Sequence, residues 1–522
     1  MLTWLEAREV KRRTSRSGEE PPGPRPRPDL PAGTDLLPQI HHIVVLMMEN
    51  HSYDNYFGML TGRGEGFPLG EDGRPDVANS RSDGSAVPAN HRTSCHQLPE
   101  IPSQSWHASH RQWNGGRCDG FARSVEESFP GADPGIAMSY WTEQDLPFYH
   151  GLARTFPLAD HWFSSCLGPT FPNRRFLIAG TANGLIDDLP FDIVDYPPAG
   201  TIFDMLGRHG ISWANYHHVS RYSVTLGRAL GGDALTSLRR LVSLGAWFGP
   251  LAQAFRGNKT FTADLYPLGL ARSRHHLHGF RRFRADADNG TLPAFSIVDP
   301  DFKQFSEENP QDVRRGEAFA AEVINRVMHG KGWPRTLLIW LYDEHGGYYD
   351  HVPPPEAPRP DDTDGRPIRA LPGWLHAGLR PFLRDSFAHA GARDAGPHRY
   401  DRYGFRVPAV IVSPCARPDY VCDQVFDHTS VLKLVEEKWN LPPLTRRDAA
   451  ANSPLAALDL TSPPAFLTPP ELPAPSFASQ SRPASRRSEG VQPHPERVTE
   501  QAVEAVAVGR QEAGRPDERP AR

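Results

Sequence analysis

The chain has 522 residues, 38% hydrophobic and 23% charged, with a formal net charge of -5. This is ordinary globular composition with apolar mass for a large core, and a near-balanced charge offers nucleic acid no broad basic surface. No run approaches the ~20 consecutive apolar residues that a membrane span requires.

Residues 1–37 are rich in Pro, Arg and Glu, lack apolar periodicity and are predicted to be a disordered tail. Lys11-Arg12-Arg13 is followed by no apolar segment, so as written the chain shows no secretory signal. The expected location is therefore cytoplasmic, or secreted or envelope-associated if translation starts further upstream. The five cysteines contain no CxxC pair, which argues against a structural zinc site. Free thiols are expected, with Cys415–Cys422 the alternative loop bridge.

Ile43–Met48 reads as a strand buried on both faces, and it runs straight into Glu49-Asn50. Gly168–Arg174 leads into apolar Phe176–Ala179 and predicts a helix start at Thr170, with Pro172 in its first turn. Thr201 and Asp204 open a second helix. Leu235–Phe255 carries an apolar face that suits a core or lid helix, or a peripheral contact with lipid. Arg272–Arg284 holds five arginines and three histidines, a solvated face or an anion-binding patch. Phe295–Val298 is a strand ending in Asp299. A helix over Asp312–Met328 puts Phe319, Val323, Ile324 and Val327 on one side and stops at Gly330. Leu337–Tyr342 is a strand that ends in Asp343-Glu344-His345, Val407–Val412 is another, and His428–Asn440 is a helix. Asp361, Asp362 and Asp364 read as solvated turn residues. Residues 463–522 form a second predicted tail, with one helix-like stretch at Val498–Val508. The alternation predicts an α/β fold, a doubly wound, mostly parallel sheet with helices on both faces, within one domain over 38–462.

In open α/β sheets ligands bind beyond the carboxyl ends of the strands. Glu49, Asn50, Asp343 and Glu344 are oxygen donors at two such ends, a hard set suited to a divalent cation. Taken singly, each residue equally suits a helix cap or a bond to nearby backbone amides. Thr170 stands where exposed amides and the helix dipole favour a phosphate, so its hydroxyl is either a nucleophile or a simple N-cap. Ser164, Ser165 and Cys166 are rival nucleophiles.

The stretch His42–Gly58 (HIVVLMMENHSYDNYFG) resembles the opening motif of the bacterial phosphoesterase family, which includes phospholipases C and an acid phosphatase. Gly168–Arg174 resembles that family's nucleophile motif, and Tyr342–Pro355 its second metal motif. Trp113–Gly116 with Asp119–Phe121, and Asp427–Ser430, extend the likeness over about 38–450. The resemblance implies an alkaline-phosphatase-like fold and one divalent metal ion (Mn, Mg, Ca or Zn). It implies Glu49, Asn50, Asp343, Glu344 and Thr170 as metal ligands, with Thr170 the nucleophile. Where relatives carry histidines facing the phosphate, this chain has Gln104 and Asn309, which can hydrogen-bond but cannot act as general acids near neutral pH. Those two and Arg174 are the expected substrate-binding residues. The acid role then falls to His107, His110, His345 or His351, with His110 and His351 preferred. The implied activity is hydrolysis of a phospholipid or small phosphate ester through a phosphothreonine, without nucleic-acid partners. An acid phosphatase is the first alternative and a non-catalytic metal-binding scaffold the second.

Overall fold

The computed structural model describes residues 22–97, 102–188, 196–218, 265–266, 274–365 and 399–477. The stretches 235–255 and 498–508 lie outside them, as do the first two residues of the 272–284 cluster.

Six strands form the central sheet: β1 (His42–Met48), β2 (Trp213–His217), β3 (Leu277–Gly279), β4 (Phe295–Asp299), β5 (Thr336–Tyr342) and β6 (Ala409–Val412). Their order is β6-β5-β1-β4-β2-β3, every neighbouring pair parallel except β6 with β5. Every residue of β5 and all but the first of β1 are buried, so both faces of the sheet are covered, as the unbroken apolar runs predicted. The fold is α/β around a mostly parallel sheet. The strand expected from Val407 begins at Ala409 because Pro408 brings no N–H to the ladder. β2 escaped the sequence pattern because Asn215 interrupts it. In the sheet its Nδ2 donates to Ile297 O (3.2 Å) and Asp299 Oδ2 (2.9 Å).

The helices that position the site are α1 (Tyr53–Phe57), α2 (Trp106–Trp113), α3 (Phe121–Ser128), α4 (Pro147–Thr155), α5 (Thr170–Ala179), α6 (Ile202–Arg208), α7 (Phe280–Asn289), α8 (Val313–His329) and α9 (Thr429–Trp439). α7 packs on α8 and α8 on α4, while α5 packs on both α6 and α9, giving two helical groups around the sheet. The expected boundaries recur with their caps. Asp312 accepts Arg314 N at the head of α8, Asp204 accepts Thr201 N ahead of α6, and left-handed Asn440 ends α9.

Three expectations are corrected. Residues 27–37 do not trail from the body: Gly33 N and Leu36 N donate to Trp439 O and Lys438 O, and Asn440 donates to Arg27 O, Leu30 O and Pro31 O. Capping the carbonyl end of α9 needs hydrogen bonds rather than apolar periodicity, so composition concealed it. Part of the second tail docks as well. Phe466 N bonds Pro414 O while its ring packs 4.8 Å from Phe156, and Ser476 N reaches Glu317 Oε2. Of the aspartates of the Pro-rich loop, Asp362 and Asp364 are exposed as expected, but Asp361 is half-buried and accepts from Thr181 Oγ1. All five cysteines are free, Cys415 and Cys422 included. In the 272–284 cluster, Arg282 pairs with Asp286 and Arg284 with Glu322, so neither guanidinium is an open anion receptor.

Candidate active site

The β1–β5 register sets Met48 opposite Tyr342, so Glu49-Asn50 and Asp343-Glu344 leave the sheet side by side. Between β4 and β5, Arg174 reaches across the end of β1. Its Nε donates to Asp343 Oδ2 (2.8 Å), Nη1 lies 3.4 Å from Asp299 Oδ1, and Nη2 donates to Met48 O (3.1 Å) with Glu49 Oε1 at 3.8 Å. Arg174 therefore serves the carboxylates rather than standing open as the expected substrate anchor.

Thr170 is the first residue of α5. Pro169 holds the position before it, so the simple N-cap role does not apply. The turn is shaped by Asn173, which donates to Gly168 O (2.8 Å) and Pro169 O (3.0 Å), and Phe171 N donates to Asp188 Oδ1 (3.1 Å). Thr170 Oγ1 lies 3.5 Å from Asn50 Oδ1, at the positive end of the α5 dipole. The rival nucleophiles point elsewhere. Ser164 and Ser165 are fully buried, and Cys166, its thiol pushed up by burial, packs against Asn173.

Glu49, Asp343 and Glu344 are buried, and desolvation raises the pKa of each, against the pull of Arg174 on the first two. Two further carboxyls join them: Glu308 and Asp188, both pushed up to about 7 chiefly by burial, with neighbouring carboxylates adding to it. Neither was foreseen: Glu308 stands out in the sequence only as the neighbour of Asn309, and Asp188 sits in a loop without a motif of its own. Glu49 Oε2 and Glu344 Oε1 are buried without a hydrogen-bond partner among the described residues. Unpartnered buried acid oxygens among like charges fit a hard divalent cation held by Glu49, Asn50, Asp343 and Glu344 with Thr170 at its edge.

A different trio, Asp54, Asp350 and His351, brings its ligand atoms within 4.8 Å, as no other His, Cys, Asp or Glu trio among the described residues does. This Asp/His group is geometrically able to hold a cation, whereas Glu49, Asp343 and Glu344 are spread more widely. Its charge is already met, however. The buried Arg406 guanidinium donates to Asp54 Oδ1 and Asp350 Oδ1, both at 3.0 Å, and His351 Nδ1 lies 2.6 Å from Asp54 Oδ2. A cation there would compete with a resident guanidinium, whereas the first set has orphaned acid oxygens.

His351 thus belongs to the Arg406 network, and Asp54 favours its charged form, raising its pKa against desolvation. His345 donates from Nε2 to Gln112 Oε1 (2.7 Å), and burial pushes its pKa down to about 3, so it stays neutral. His110 donates from Nδ1 to Trp106 O (2.7 Å) and its ring lies tilted 4.7 Å from the Trp106 ring, which lies 3.0 Å from where a Cβ on Gly168 would stand. Trp106 thus links His110 to the Thr170 loop. Gln104 is half-buried just ahead of α2, its carbonyl accepting Ser109 Oγ, and Asn309 Oδ1 accepts Tyr348 OH (2.7 Å). His428 went unassigned. Its Nε2 donates to Asp343 O (2.7 Å) and it is held neutral by burial, which steadies the backbone of a candidate ligand.

Several known proteins are similar to this chain. Phospholipase C A of Mycobacterium tuberculosis is 29% identical over 455 residues, covering 82% of this chain and 79% of the relative. Non-specific phospholipase C6 of Arabidopsis thaliana is 27% identical, covering 79% and 71%. Hemolytic phospholipase C of Pseudomonas aeruginosa is 29% identical, covering 79% of this chain but 54% of its own length. A solved structure from Vibrio parahaemolyticus, described as an alkaline phosphatase superfamily protein, aligns with 86% of this chain and 78% of its own at 10% identity and a TM-score of 0.33. The sequence profile of the phosphoesterase family matches residues 40–442, and the chain belongs to that family, hydrolases of phosphate esters.

Proposed function

We propose that the protein is a metal-dependent phosphodiesterase of the phospholipase C type, with Thr170 as its nucleophile. The observation that carries this reading is Thr170 Oγ1 at the head of α5, 3.5 Å from Asn50 Oδ1 and beside acid oxygens that no described residue satisfies. The relatives named phospholipase C supply the substrate class, a glycerophospholipid cleaved to diacylglycerol and a phosphorylated headgroup.

A bound divalent cation would polarise the phosphoryl oxygens and favour ionised alcohol at neutral pH. The chain does the rest. The α5 amides face the phosphate, and Thr170 Oγ attacks phosphorus as the bond to the leaving oxygen breaks. The Thr170 hydroxyl proton passes to solvent water, and the leaving alkoxide takes a proton from His110, the donor we assign. His110 regains a proton from the water that then cleaves the phosphothreonine, and the released Thr170 oxygen is reprotonated from solvent. Arg174 keeps Asp343 in place throughout.

The test compares a chromogenic choline phosphodiester with a simple phosphomonoester, with and without chelator, and maps acid-trapped phosphate by mass spectrometry. Chelator-sensitive diester turnover with phosphate on Thr170 is expected, together with loss of turnover in Thr170→Ala and substantial activity in Thr170→Ser. Monoester turnover alone would select a phosphatase, no turnover a scaffold, and phosphate on another residue would overturn the nucleophile.

A further inference from the structure

Glu307 is a wholly buried acid that takes no direct part in this chemistry. Its Oε2 accepts from Tyr56 OH (2.5 Å) and from Tyr342 OH, and its Oε1 accepts from Tyr149 OH (2.5 Å). Tyr342 is the last residue of β5, directly ahead of Asp343. On the other strand, the Glu307 carbonyl accepts His51 Nε2 (3.0 Å), one residue past Asn50, and the neighbouring Ser306 carbonyl accepts Glu49 N (3.0 Å). His51 is also sandwiched between the rings of Tyr56 and Tyr348, with centroids at 4.6 and 4.8 Å. The next residue along the chain is Glu308, one of the site carboxyls. Room for the Glu307 side chain exists because residue 316 in α8 is glycine: a Cβ there would collide with it. The Glu307 backbone holds φ +78, a left-handed conformation that a non-glycine residue keeps only where its surroundings impose it.

We infer that Glu307 is a positioning residue that ties the ends of both ligand-bearing strands to the loop presenting Glu308, and so sets the spacing of the metal ligands. Three phenols converge on the Glu307 carboxyl, while the Glu307 and Ser306 carbonyls accept from His51 and Glu49, so the bonds reach Glu49, Asn50 and Asp343 each within one residue. Outer groups that orient metal ligands commonly change metal affinity or activity by about 10–100-fold when removed. The inference rests on the metal assignment proposed above.

The experiment titrates Mn2+ alone into the full chain and into Glu307→Gln, Tyr342→Phe, Gly316→Ala and Tyr216→Phe, with melting temperatures, kcat and KM measured on each. Glu307→Gln and Tyr342→Phe are expected to weaken Mn2+ binding about tenfold and to lower kcat more than they raise KM. Gly316→Ala should do the same from a remote helix, and it stands in if Glu307→Gln does not fold. Tyr216→Phe removes a buried phenol outside the Glu307 network, one that donates to Asp286 Oδ2 (2.8 Å) between β2 and α7, so it should bind Mn2+ nearly as the unaltered protein does. Unchanged Mn2+ binding in Glu307→Gln and Tyr342→Phe would overturn the inference. So would a loss in Tyr216→Phe as large as that in Tyr342→Phe, since that is the mark of general packing damage. A Glu344→Gln variant that still binds Mn2+ normally would overturn the metal assignment instead.

Discussion

Replacing Arg174 with Met tests the electrostatic account of the site most directly. The side chain is 3% exposed and lies against Asp343, Asp299 and Glu49, with unpartnered acid oxygens nearby. Methionine retains much of the apolar stem but leaves buried carboxylates without their cation. Removing one partner of a buried ion pair costs about 3–5 kcal/mol. At roughly 2.1 cal/mol/K per residue, the ~400 residues matched by the family profile unfold with an entropy near 0.8 kcal/mol/K. The metal-free variant should therefore melt roughly 4–6 °C below the unaltered protein near pH 7.5. Two refinements make the test specific. The deficit should shrink at pH 5, where raised carboxyls take up protons, and Mn2+ should recover more of it in the variant than in the unaltered protein. Calorimetry with chelator, then with Mn2+, measures both. A deficit below about 1 °C without metal would refute the claim that Arg174 neutralises these acids.

The raised carboxyls also set a pH dependence. Glu308 and Asp188 sit at about 7 and Glu307 at about 8, all above the ordinary carboxyl range. These carboxyls thus bind more protons in the folded state than in the unfolded one, and their contribution to stability falls as pH rises through 7 and 8, above the range in which the buried neutral His51, His150, His345 and His428 gain protons on unfolding. Metal-free protein should melt higher at about pH 6.5 than at about pH 8.5, with the gap narrowed by Mn2+; a higher melting temperature at the upper pH would contradict the buried cluster. Deleting residues 1–21 should leave urea unfolding unchanged, whereas deleting 1–37 should cost about 1–3 kcal/mol, because Asn440 and Lys438 lose buried partners.

Much of this molecule is legible in its sequence alone. The unbroken apolar runs of β1, β4 and β5 suit strands covered on both faces, and the polar residues that end them stand at the edge where α/β sheets bind ligands. Glu49, Asn50, Asp343, Glu344 and Thr170 follow from that reasoning and from the resemblance, since strand ends and helix starts are local features. What the sequence could not reveal is which residues meet across long separations. Arg174 read as a substrate anchor because its motif places it beside the phosphate, yet only the sheet order puts Asp299 and Asp343 on either side of β1, where the guanidinium is drawn in. His351 read as an acid because nothing local to it shows that Arg406, 55 residues away, shares its aspartates. Glu307 had no signal at all, since its partners Tyr56, Tyr149 and Tyr342 come from α1, α4 and β5. Local periodicity records which face of an element is buried, whereas the charge and hydrogen-bond balance of a buried acid is decided by whatever the packed chain brings within a few ångströms of it.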